Sequence, residues 1–169
     1  MSAQIVDVVT EVVANVREQV RIWSRLLELS SAQREALEVQ DVHRVHAVLQ
    51  EIEVTMLDRG RTEVRRGMLL QQAASILGLE LAAVTRDVLV GCVGAELGQE
   101  LEAAAEELRA LVVELDAVVA RNTALLEQEL AIIEVLVQGA TTDVAARTTY
   151  GKQGVQQEAP RLRLLDAQA

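Results

Sequence analysis

From Ile5 onward, apolar residues recur at Ile5, Val9, Val12, Val16, Val20, Trp23 and Leu27, followed by Ser30, in the steps of three and four that hold one face of a helix. The spacing predicts a helix over 3–39. Its many valines favour strand by propensity, but the run is far longer than a strand, and Glu, Arg and Gln fill the intervening positions. Asp41 then precedes a second run, Val42, Val45, Leu49, Ile52 and Met56, where its carboxylate can cap the free backbone donors of a new helix. A connection of about two residues implies an antiparallel hairpin. The second helix continues through Gly60, Val64, Met68 and Ala74 to Leu77, giving a span of 42–77 with Gly78 as its C-cap. Arg59, Arg61, Arg65 and Arg66 are expected on its outer face.

Between Leu79 and Gly98 the pattern breaks into a short amphipathic piece over 80–90 and then Gly91, Gly94 and Gly98, which reads as a corner. A third long helix is predicted over 95–138. Leu101, Leu108, Leu115, Asn122, Glu129 and Leu136 fall every seven residues, with Leu111, Val118, Leu125 and Ile132 three positions after the middle four. Val112, Val119, Leu126 and Ile133 widen this seam into a stripe suited to a bundle of three or more helices. Asn122 interrupts the leucines either as a buried amide that fixes register or as a polar break facing water. The fold class is therefore all-α: an elongated antiparallel helical hairpin plus a third long helix, a coiled-coil-like three-helix bundle over 1–138. At ~1.5 Å per residue such helices reach about 50 to 60 Å, so a rod is expected. After Gly139 the chain becomes polar and Gly-punctuated, and 139–169 is expected to be a flexible tail.

Composition removes several function classes. Half of the 169 residues are apolar, which is enough to build a core, and a single Cys rules out a disulfide framework or a Cys-rich zinc site. A net charge of −10 and an aromatic content of 1% leave neither a basic face for phosphates nor a stacking platform for bases. Nucleic acid is not an expected partner. The N-terminus, with Asp7 and Glu11 in its apolar run, does not read as a signal peptide, and no run approaches the ~18 apolar residues of a membrane span. A cytoplasmic protein is expected.

Candidate chemistry is sparse. His43 and His46 lie three apart on the second helix without a third ligand at any suggestive spacing, so a solvated pair is the expectation and no metal is assigned. Cys92, flanked by Gly91, Val93 and Gly94 with no adjacent base to lower its pKa, reads as a small packing residue. Gly91, Gly94 and Gly98 match neither phosphate-loop spacing, and no sheet exists to carry such a loop. No catalytic residues, cofactor site or enzyme activity are predicted. Trp23 lies on the apolar stripe of the first helix and reads as core. Tyr150 stands alone in a polar stretch beside Gly151, so a docking contact is the expectation for it.

Two stretches together resemble the FlgN-type flagellar export chaperones. One is the hairpin Leu26-Leu27-Glu28-Leu29 with Arg34-Glu35-Ala36-Leu37-Glu38-Val39-Gln40-Asp41-Val42; the other is Thr149-Tyr150-Gly151-Lys152-Gln153-Gly154. The chain to about Val155 fits that outline. The resemblance implies a cytoplasmic, non-enzymatic chaperone that binds hook–filament junction proteins before type III secretion and hands them to the flagellar export gate. It further implies that Leu125, Leu126, Ile132, Ile133 and Leu136 take the amphipathic C-terminal helix of the cargo, and that Tyr150, with Gly151 and Gly154, contacts the export gate. Unlike many members, this chain has no Lys from Glu51 to Thr55, and Pro160 and Arg161-Leu162-Arg163-Leu164-Leu165 fall beyond the resemblance. The same heptads would equally serve a structural coiled-coil adaptor that self-associates, with a homodimer as its simplest form.

Overall fold

The computed structural model describes residues 3–149, with side chains described through 138. Four α-helices follow in order: α1 Ala3–Glu38, α2 Val42–Leu77, α3 Arg86–Gly91 and α4 Ala95–Thr149, with a 3-10 turn at Leu81–Ala83. All regular elements among the described residues are helical, as the periodicities predict. The chain falls into two units, Met1–Gln128 and Glu129–Ala169.

The first unit is an up-down-up bundle. Pairing of Arg65 with Glu11, Asn15 with Thr62, Arg25 with Glu51 and Arg44 with Glu35 sets α1 and α2 antiparallel. Arg17 meets Glu100, and Asn122 meets Ser30 farther along, so α4 runs parallel to α1. The tight hairpin has a defined cause at each end. Gln40 takes a left-handed conformation at φ 56°, letting the Asp41 N–H donate to Ala36 O at 2.9 Å and the Gln40 N–H to Leu37 O at 3.0 Å. These two bonds close the last turn of α1. The Asp41 carboxylate then accepts from the Arg44 N–H at 3.0 Å and starts α2, as predicted. Gly78 ends α2 at φ 65°, also as predicted, with the Leu79 N–H reaching Ala74 O at 3.0 Å.

The face that α1 buries is the predicted one over its first half, where Ile5, Val9, Val12 and Val16 are buried, and it shifts farther along. Ile5, Val12, Gln19 and Leu26 form one buried row and Val8, Asn15, Ile22, Leu29 and Ala36 another, each with a strict seven-residue spacing. Val20, Trp23 and Leu27 are only half-buried. Asn15 and Gln19 sit inside the heptads, so the apolar pattern alone leads from Val16 to Val20, Trp23 and Leu27, at the edge of the seam. On α2 the same thing happens more strongly. Val48, Thr62 and Leu69 are buried on one seven-residue register, whereas Val42, Leu49, Met56, Val64 and Met68 of the predicted stripe are exposed. Arg59, expected outside, is half-buried over Trp23.

The core has two apolar layers with a polar one between them along α1. Near the start of α1, Ile5, Val8, Val9, Val12, Val13 and Val16 pack with Leu69, Ala73, Ala74, Leu101 and Ala104, and Val84 and Leu89 join from the corner. Farther along, Ile22, Leu26 and Leu115 form a smaller cluster edged by Trp23, Leu27 and Ile52. Between them Gln19 Nε2 donates to Asn15 Oδ1 at 2.9 Å and Asn15 Nδ2 donates to Thr62 O at 3.1 Å. The corner itself is short: Thr85 caps α3 through the Val88 N–H at 3.3 Å, and buried Gly98 lets Val90 approach α4. A Cβ on Gly98 would lie 3.2 Å from Val90 Cγ1.

Helix α4 extends through Thr149, past the expected end at 138 and past Gly139. One interior Gly costs a helix only about 1 kcal/mol, and Ala140, Ala145, Ala146 and Arg147 are good helix formers. The tail expected over 139–169 therefore begins as helix, and the part of it after Thr149 lies outside the described residues.

Candidate functional site

Within the first unit the predicted seam of α4 is used for packing. Leu101, Ala104, Leu115, Val118 and Asn122 are buried, and Leu108, Leu111 and Leu125 are half-buried. Asn122, at 3% exposure, resolves its two sequence-level readings in favour of the buried amide: Nδ2 donates to Ser30 O at 2.8 Å and to Gln33 Oε1 at 2.9 Å. Leu126 already differs from this pattern, being 41% exposed.

In the second unit the helix is open. Glu129 is half-buried and every described side chain from Leu130 to Gln138 is exposed. Leu130 is 60% exposed, Ile132 46%, Ile133 53% and Leu136 66%. The sequence makes this segment helical through Leu, Ala and Glu, none of them β-branched, and sustains it despite Ile and Val. What it lacks is a polar side: residues 130–138 read Leu-Ala-Ile-Ile-Glu-Val-Leu-Val-Gln. Exposed apolar groups at this density make the segment a candidate interaction surface.

The five residues assigned to cargo thus divide. Leu125 and Leu126 belong to the first unit and Ile132, Ile133 and Leu136 to the second, and all but half-buried Leu125 are exposed. Leu130 and Val135 share that exposure but lie off the heptad rows; the nearly unbroken apolar run is the sequence signal for them. A further apolar surface on α2 is formed by Val64 and Met68, which the periodicity places on the inner stripe, and by Leu57. Tyr150, Gly151 and Gly154 lie outside the described residues.

The remaining candidates carry no assembled chemistry. His43 and His46 are exposed, and His46 Nε2 lies 3.3 Å from Gln50 Nε2. Among the described residues no three His, Cys, Asp or Glu side chains are grouped to hold a metal ion. Cys92 is a half-buried free thiol against the core. Arg25 is raised above its ordinary pKa by hydrogen bonds to Glu28 and then Glu51, which only reinforces a charge it carries at any physiological pH. No helix among the described residues is long and apolar enough to cross a membrane.

The described residues are thus all-α, with a packed core in the first unit and exposed apolar side chains on the helix of the second. A family model described as FlgN protein matches residues 1–158. The chain belongs to the FlgN family, a family of flagellar export chaperones and not of enzymes. No curated protein and no solved structure matches the chain.

Proposed function

We propose that this chain is a cytoplasmic chaperone for hook–filament junction, or hook-associated, proteins. It covers the amphipathic C-terminal helix of the cargo, prevents its premature association and delivers it to the flagellar export gate. Ile132, Ile133 and Leu136, with Leu125 and Leu126 preceding them on α4, take the cargo helix, and Tyr150 with Gly151 and Gly154 docks on the gate. The observation that carries this reading is the exposure of Ile132, Ile133 and Leu136, with Leu130 beside them, on a helix with almost no polar side there. A cargo helix destined for a filament interface carries its own apolar stripe, and helix-on-helix burial suits both.

Copurification with the hook-associated proteins of the same organism, followed by light scattering of free and mixed samples, tests it directly. A defined stoichiometric complex is expected. Leu126→Asp with Ile133→Asp should abolish that complex while circular dichroism remains unchanged, and Tyr150→Ala should weaken gate binding or secretion while cargo affinity stays intact. A free protein that is already a tight symmetric oligomer, indifferent to these partners, would instead establish the self-associating adaptor.

A further inference from the structure

Apolar side chains around residues 130–138 face several sides of α4 at once, and Leu130, Ile132, Ile133, Val135 and Leu136 are all exposed. A helix whose polar side is as narrow as Glu134 and Gln138 is normally covered over most of its circumference. Charge narrows what covers this one. Between Ala95 and Gln138, α4 carries ten carboxylates against Arg109 and Arg121 alone. Pairing it with the same helix of a second copy would add like-charge repulsion to the net −10 of each chain. A basic apolar segment is the complementary occupant, and the chain contains one. Arg161-Leu162-Arg163-Leu164-Leu165 follows residues 1–158, the part matched by the family, and so has no role from that match.

The covalent geometry permits the contact within one chain. Arg161 lies twelve positions after Thr149, enough to span about 40 Å when extended. Ile133 lies sixteen positions before Thr149 on the helix, a rise of about 24 Å. A tether of that length keeps its end at an effective concentration on the order of 1 mM, so even weak docking is populated.

We propose that Arg161–Leu165 docks on the apolar surface of α4 around Leu130–Leu136 of the same chain, its leucines covering that surface and its arginines facing the acidic side chains of α4, Glu134 among them. A cargo helix must then displace the segment, which makes occupancy of the site competitive. The docking stands on the charge and reach of this chain; that the competing ligand is export cargo rests on the function proposed above.

The test uses the full-length chain carrying Leu162→Ser, Leu164→Ser and Leu165→Ser, and separately Arg161→Glu with Arg163→Glu. Amide hydrogen exchange across 130–138 should accelerate by about tenfold in both, and fluorescence of an apolar dye should rise, with circular dichroism unchanged. Cargo affinity should increase by about tenfold as the competing segment is lost. Unchanged exchange across 130–138 in both variants overturns the docking, whether or not cargo binds. Accelerated exchange without any cargo binding upholds the docking and removes the chaperone reading instead. Light scattering across a hundredfold range of concentration separates docking within a chain from exchange between copies: protection of 130–138 that appears only with dimerisation overturns the proposal.

Discussion

The guanidinium carbon of Arg59 lies 5.0 Å from the centroid of the Trp23 ring, joining α2 to α1 through a cation held over an aromatic face. The contact explains why an arginine can occupy a seam position in α2. Its stem covers apolar surface while its head remains wet, and Trp23, half-buried, supplies a negatively polarised face. Arg59→Ala should destabilise the fold by about 0.5–1 kcal/mol in urea titration. Because Trp23 is the only tryptophan, its emission should shift in the same variant; an unshifted spectrum with unchanged stability would show that the contact contributes nothing in solution.

The Asn122 amide should behave as a specificity device more than a source of stability. Asn122→Ala leaves a small cavity and removes the donor to Ser30 O and Gln33 Oε1, and a loss of roughly 1–3 kcal/mol is expected. Asn122→Leu, which removes the polar group but fills the space, should be neutral or stabilising while admitting other helix registers. Light scattering of the leucine variant would reveal mixed oligomers; a strictly uniform species identical to the parent would assign register control elsewhere.

The polar layer at Asn15, Gln19 and Thr62 predicts a sharper asymmetry. Asn15→Ala strips Gln19 Nε2 of its acceptor and removes the side-chain donor that Thr62 O has beyond its helical one, and should cost about 1–3 kcal/mol. Replacing Asn15 and Gln19 together with leucine should recover most of that loss, since no buried partner is left half-satisfied. Chemical denaturation of the single and double variants measures the difference, and equal losses in both would contradict it.

Gly78 and Gln40, both left-handed, should respond in opposite directions. Gly78→Ala places a Cβ where φ is 65° and should cost about 1 kcal/mol. Gln40→Gly relieves the same backbone penalty at φ 56° and should raise the thermal midpoint. Thermal unfolding of both variants checks the pair, and a loss at Gln40→Gly would mean that its side chain matters more than its backbone.

The sequence by itself determined the helices, their order and most of their ends. These are local properties: Asp41 caps because its carboxylate reaches a nearby N–H, and Gly78 stops a helix because only its backbone relaxes into φ > 0 without cost. The seven-residue rows of α4 were legible for the same reason, since Leu101, Leu115 and Val118 are apolar at every step. What the tertiary structure alone decided is which polar residues join the buried seam of α1 and which face of α2 turns inward. There the seam runs through Asn15, Gln19, Thr62 and Arg59, whose polar groups are satisfied by partners as many as 47 residues away, and no count of apolar residues along one helix can register such a partner. The open stretch Leu130–Leu136 shows the converse: its hydrophobicity is written in the sequence, but its exposure follows from what packs against a helix in three dimensions.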